Sequence, residues 1–206
     1  MMMGSDVIIV DTENEYQRLA DAVGGAYIRL SLNSNVRINP FDLPRVIDND
    51  EADDALRANL VTLHGLLRLM LGELTHEEDS MIDRALLETY AKKDITPDAD
   101  LATIEPPLMS DFQEVLSGMS GAEELVERLK KYTEGTFAGL FNSPTNVELN
   151  NNLVVFSVRD LEDELRPIGI STIISYIWNI ARSKLKKRLL VIDEAWWLMQ
   201  SDDGAS

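Results

Sequence analysis

Two short apolar runs, one near each end of the chain, constrain its fold more than any other feature. Val7-Ile8-Ile9-Val10 and Leu189-Leu190-Val191-Ile192 contain no polar break, and each is followed at once by acid: Asp11 in the first case, Asp193-Glu194 in the second. Runs of this length without alternation read as strands buried on both faces, which belong to parallel sheets covered by helices. After the first run, Thr12 with Glu15 three residues on is a capping-box pattern. It predicts a helix from about Glu13 to Val23, stopped by Gly24-Gly25. Ala26–Leu30 then reads as a second strand, so the first thirty residues form a βαβ unit and a parallel sheet is expected.

The period changes after the proline-punctuated stretch Val36–Pro44. Leu56, Leu60, Leu63, Leu67 and Met70 recur at helical spacing, as do Ile82, Leu86 and Tyr90. Phe112, Val115 and Leu116 predict another short helix, and Leu125, Val126 and Leu129 one more. Sheet character returns at Leu153–Val158. A long helix is expected from Leu161 to about Lys187, its end rich in lysine and arginine as the helix dipole prefers. The resulting organisation is a first core part over 1–48, an all-helical insertion over 49–140 joined internally by the Pro97–Pro107 loop, and a second core part over 141–206.

Composition narrows the chemistry. The 206 residues include no cysteine, which excludes disulfides, thiolate metal sites and a cysteine nucleophile. No apolar run is long enough to span a bilayer, and the start of the chain is no signal peptide. The formal charge is −17, and residues 51–131 alone carry 18 acidic against 8 basic side chains. A polyanion is repelled by such a surface, so no direct nucleic-acid binding is expected.

The strongest chemical signal is Leu189–Glu194. Four apolar residues followed by two acids at a strand's carboxyl end form a Walker B pattern: a rigid strand holds one carboxylate near a phosphate-bound Mg²⁺, and the next residue activates water. Asp193 is then the magnesium-side acid, acting through water, and Glu194 the general base. A strand ending in two solvated acids has the same appearance. Asp11, at the end of the other run, is a candidate for the same crevice, since sites collect at the carboxyl ends of parallel strands; helix capping explains Asp11 and Glu15 equally well. A phosphate-gripping loop requires Gly-x-x-x-x-Gly-Lys-Ser/Thr, and no glycine of this chain is followed by lysine. Six residues before the first strand leave no room for such a loop with its strand and helix, and the missing strand is expected to leave sheet edges open and favour self-association. His64 and His76 stand alone and read as surface or cap residues. Trp196-Trp197 reads first as core or interface packing, and the Arg182–Arg188 cluster as a solvated helix end. Arg159 and Arg166 are candidate arginine fingers that nothing in the sequence separates from surface arginines.

Several segments together resemble one family. Val7–Tyr16 is similar to a "strand, Asp-Pro-Glu-x-Glu-Tyr" segment, with Thr12 where proline is common. Gly24–Ser31 with Arg37-Ile38-Asn39-Pro40-Phe41-Asp42 resembles a "Gly-Gly-x-x-Ile-x-Leu … Ile-Asn-Pro-Phe-Asp" segment. Gly135–Phe141 before Leu153–Val158, and Leu190–Trp196, complete the likeness in order. The family is the VirB-four/TraC-type ATPases of type IV secretion and conjugation, in the FtsK–HerA class of P-loop motors. The resemblance implies an α/β fold, a RecA-like three-layer sandwich with a mostly parallel sheet and a helical insertion, here incomplete for lack of Walker A. The motor reading requires Leu189–Ile192 to be an inner strand with both acids at the sheet's carboxyl rim. The resemblance further implies ATP and Mg²⁺ as cofactors, with Asp193 and Asp11 at the nucleotide and Glu194 catalytic. Hexameric homo-oligomers, other secretion-system subunits as partners, and a place in the cytoplasm or at the cytoplasmic face of the inner membrane follow from it too. A chain lacking the P-loop is expected to be inactive alone. The other readings are a non-catalytic interaction module using the acidic helices and a fragment of a HerA-like DNA translocase.

Overall fold

The computed structural model describes residues 5–44, 49–95, 104–183 and 186–193, with only the backbone course given for 49–53. Four strands form one sheet: β1 (Asp6–Asp11), β2 (Ala26–Arg29), β3 (Leu153–Ser157) and β4 (Arg188–Ile192). Their order is β2-β3-β1-β4 and every pairing is parallel. The βαβ unit of the first thirty residues therefore has parallel strands that are not neighbours, because β3 inserts between them.

The first apolar run is the buried strand its composition predicts, with Ile8, Ile9 and Val10 at most 4% exposed. The last run differs. It is a strand, but among the described residues it is the outermost of the sheet, and Leu189 is 57% exposed. An uninterrupted apolar run says that both faces of a strand meet apolar atoms; it does not say how many neighbours the backbone has.

Helix α1 (Gln17–Val23) is shorter than predicted. No side chain caps it, and the Thr12–Glu15 capping box does not form; Thr12 is buried and its hydroxyl has no protein partner among the described residues. The helix ends where expected. Gly24 adopts φ 68°, and its N–H closes the last turn on Asp21. A β-carbon on Gly25 would stand 2.9 Å from the carbonyl oxygen of Leu153, so only glycine lets the chain pass this close to β3.

Between β2 and β3 the chain is helical: α2 (Asn49–Leu71), α3 (His76–Ala91), α4 (Met109–Ser117), α5 (Glu123–Thr133) and the single turn α6 (Ala138–Phe141). Of the Pro97–Pro107 connection, residues 97–103 lie outside the described residues. Helix α3 starts at a complete capping box, Thr75 with Glu78. Helix α7 (Arg166–Ser183) covers a shorter span than the predicted 161–187, because Leu161–Leu165 forms turns before it.

One large apolar cluster joins α2–α6, α7 and one face of the sheet through Leu67, Ile82, Phe112, Leu129, Phe156 and Ile173. The other sheet face carries only a small cluster, Ile9, Ala20, Leu153 and Val155 under α1. No described helix is long and apolar enough to cross a membrane.

The Asn39-Pro40-Phe41-Asp42 segment is the clasp that fastens the helices to the sheet. Asn39 Nδ2 donates to the Pro107 carbonyl at 2.9 Å, and its Oδ1 accepts from the Phe41 N–H at 3.1 Å. The Tyr90 hydroxyl donates to the Phe41 carbonyl and accepts from Asn59 Nδ2, both at 2.9 Å. The Thr145 hydroxyl donates to the Asp42 carboxylate at 2.5 Å, while Asn179 of α7 donates to the Asp42 carbonyl at 2.7 Å. Four separate parts of the chain thus close on four residues, and nearly every buried polar atom there is paired, as burial demands.

Candidate functional site at the carboxyl rim of the sheet

Pairing register brings the acids together. Val10 of β1 faces Ile192 of β4, and the Asp193 N–H donates to the Val10 carbonyl at 3.0 Å. The strand geometry therefore continues through Asp193, which stands beside Asp11 at the carboxyl ends of adjacent strands. On the other side of β1, the Val158 N–H donates to the Asp11 carbonyl at 3.0 Å, so the turn after β3 joins the same rim. This is the position at which open parallel sheets bind their ligands.

The two acids are in different states. Asp193 is partly exposed at the rim. Asp11 has no exposed surface, and its carboxylate accepts three backbone N–H groups: Glu13 at 3.2 Å, Glu15 at 3.1 Å and Tyr16 at 3.1 Å. The Tyr27 hydroxyl approaches the same carboxylate at 3.5 Å and also donates to Asn14 Oδ1. Asn14 itself is left-handed, φ 66°, a conformation that asparagine tolerates better than most residues. The helix-capping alternative for Asp11 thus has its physical form: the carboxylate holds residues 13–16 in a fixed turn, from further back than a standard cap.

That turn presents Tyr16 to the rim. The negative charge of Asp193 raises the Tyr16 phenol above its ordinary pKa, with burial, Glu15 and Asp11 adding in the same direction. The Tyr27 phenol is also raised, chiefly by burial. Arg159, in the turn after β3, donates from Nη1 to the Glu13 carbonyl at 3.1 Å and so lies at the rim as well. Arg166 bonds within its own turn, to Asp163 and to the Leu161 carbonyl. Glu194 and Trp196-Trp197 lie outside the described residues. His64 is no lone surface residue: its Nε2 is 3.1 Å from Asp79 of α3. The described end of the basic stretch, Lys186–Arg188, lies at the opposite end of β4 from Asp193, with Lys186 paired to Asp6 at 2.6 Å. A cleft of about 730 Å³ opens at that far end too, lined by Asp42, Glu148, Tyr176, Asn179 and Arg188, away from the acids.

Sequence reasoning named Asp11 and Asp193 but missed Tyr16 as their neighbour and Asn39–Asp42 as a clasp. The signal for Tyr16 was its place five residues beyond a strand-ending aspartate whose side chain has to be paired once buried.

Residues 1–206 match the TraG P-loop domain family. The chain belongs to that family. VirB4 of Thermoanaerobacter pseudethanolicus is similar in structure, with TM-score 0.82 and 30% identity over 94% of this chain and 76% of that one. No curated protein sequence matches. The family and this likeness agree with the α/β fold expected from the sequence, and with the resemblance to type IV secretion ATPases.

Asp193, partly exposed at the carboxyl rim beside a turn whose amides Asp11 already engages, is a donor of the kind a magnesium site would use. The phosphate-gripping half, with its glycine-rich amide cradle and lysine, is not encoded within the 206 residues.

Proposed function

We infer that this chain is the acid-bearing part of an ATPase motor that powers type IV secretion or conjugative transfer. The observation that carries the reading is the placement of Asp193 beside the end of β1 at the carboxyl rim, in a domain of the TraG P-loop family. In the intact site Asp193 would hold Mg²⁺ and Glu194 would serve as general base. When bound, Mg²⁺ supplies charge neutralisation for the phosphates. Asp11 contributes by fixing the 13–16 turn at the same rim. Tyr16, held by that turn, lies within electrostatic reach of Asp193. No hydrolytic step is assigned to the 206 residues alone, because phosphate contacts provide much of nucleotide affinity. Assembly as a homo-oligomeric ring with other secretion-system subunits, at the cytoplasmic face of the inner membrane, belongs to the same proposal.

The test is Mg²⁺-dependent ATP hydrolysis by two proteins. The 206-residue chain is expected to show none. The same chain fused behind a P-loop strand and helix is expected to turn over, and Glu194→Gln to reduce that rate by about 10²–10⁴-fold, the usual weight of a general base. A folded, nucleotide-binding fusion whose rate is indifferent to Glu194→Gln refutes the assignment.

A further inference from the structure

Helix α2 carries an apolar stripe that no described contact uses. Its buried side, with Leu56, Leu63, Leu67 and Met70, meets the large core and the neighbouring α3, α5 and α7. The opposite side of such a helix is expected to be polar. Instead Val61 is 74% exposed and Leu69 44% exposed, with Gly65 midway between them. Glycine weakens a helix interior, yet a β-carbon added at Gly65 would meet nothing within 4 Å. The backbone there is ordinary helix. Nothing inside the chain therefore calls for glycine at this position. A glycine on an exposed apolar face serves instead to let another backbone come close.

The stripe is symmetric about Gly65. Val61 and Leu69 stand four residues away on either side, and Ala58 and Gly72 seven away. At 3.6 residues per turn these five positions share one face, and Gly72 still closes an α-helical bond, to the Arg68 carbonyl at 2.9 Å. The order small, branched apolar, glycine, branched apolar, small reads the same from both ends. A second copy of α2 running antiparallel, with Gly65 against Gly65, fits at each step. The axes cross where neither helix has a side chain, Val61 packs on Leu69 of the other copy at two equivalent places, and Ala58 faces Gly72. Sliding one helix by a turn leaves Val61 or Leu69 without an apolar partner. No charged group is needed: Arg57 and Arg68, beside the seam, keep the partners they have in the chain. We propose that the chain forms a reversible two-fold dimer through antiparallel α2–α2 pairing about Gly65. The occupant is a second copy because the stripe is complementary to its own reverse, and the pairing is independent of any nucleotide chemistry. Five residues a side compares with roughly 20–30 in a standard interface, and the formal charge of −17 opposes association. The dimer is accordingly weak, formed at high protein concentration and strengthened by added salt.

Because the chain has no cysteine, single introduced cysteines report the register. Val61→Cys and Leu69→Cys, mixed in equal amounts at high concentration and salt and mildly oxidised, are expected to give a disulfide-linked species of twice the 23.1 kDa of the chain. Each variant alone is expected to link far less, because the antiparallel register sets two copies of one position about 12 Å apart along the axis, beyond the reach of a disulfide. Gly65→Gln is the second arm. Glutamine is the better helix former, so the thermal midpoint is expected to rise, while its side chain holds the helices apart and lowers the mixed cross-link about tenfold. A mixed yield no greater than that of the single variants overturns the proposal and leaves the stripe to a helix of another protein. Val61→Cys linking with itself as readily as with Leu69→Cys refutes the register. A folded Gly65→Gln background with an undiminished mixed cross-link refutes the close approach.

Discussion

Replacing Asp11 by alanine asks what the buried carboxylate at the rim is for. Its oxygens accept N–H groups from Glu13, Glu15 and Tyr16 at 3.1–3.2 Å, with no exposed surface of its own. Hydrogen bonds to a charged group contribute about 1.5–3 kcal/mol each. Glu13 and Glu15 are exposed, so their amides regain water when the carboxylate is removed; the Tyr16 amide, closer to α1, regains less. The net cost is therefore roughly 2–4 kcal/mol rather than the full sum of three bonds. For a chain of this size that corresponds to a midpoint lowered by roughly 5–12 °C in thermal unfolding. Asp11→Asn, which keeps one acceptor oxygen, is expected to lose about half as much. The sign discriminates between roles. A carboxylate kept mainly to bind metal, and repelled by Asp193 when the metal is absent, would stabilise the protein on removal. A midpoint for Asp11→Ala equal to or above that of the wild type refutes the turn-holding account.

Two further outcomes test the packing. Tyr90→Phe leaves the Phe41 carbonyl and Asn59 Nδ2 buried without their shared partner, and is expected to cost about 1–3 kcal/mol in urea unfolding; a change near zero denies that the clasp is a closed network. Burial, with a smaller contribution from Glu164, pushes the Tyr132 phenol up to about 12. Above the ordinary tyrosine value near 10 the unfolded chain sheds its proton while the folded one keeps it, so the folded state binds more protons and stability falls as pH rises between 10 and about 12. Below that window Tyr132 makes stability no function of pH. Tyr132→Phe, whatever it costs through the lost bond to the Met70 carbonyl, is expected to flatten the alkaline slope of urea midpoint against pH; an unchanged slope places the titration elsewhere.

Strand identity was legible because an unbroken run such as Val7–Val10 has few other ways to bury itself. Helix periods in Leu56–Met70 and Ile82–Tyr90 were legible for the same reason, each being long enough to repeat. The order of strands was not: β3 separates β1 from β2 through contacts more than a hundred residues apart, and local pattern carries no record of them. The start of α1 was misread because Thr12 offers good capping chemistry, while the adjacent Asp11, buried at the strand end, reaches the same amides first. At the rim, the acid positions followed from strand ends, which are local. The Tyr16–Asp193 proximity depended on the β1–β4 pairing, which is not.

The middle position of β1 has a consequence for how the protein is made. Its partner residues in β4 lie about 180 positions later, Asp6 beside Arg188. At a synthesis rate of about 5–20 residues per second, the edge of the first strand that faces β4 waits roughly 10–40 s unclaimed. Until β3 and then β4 arrive, the two edges of β1 are open to any other extended segment nearby. Chaperone dependence and yield on expression should accordingly track the speed with which β4 follows β1 out of the ribosome, more closely than the stability of the finished fold.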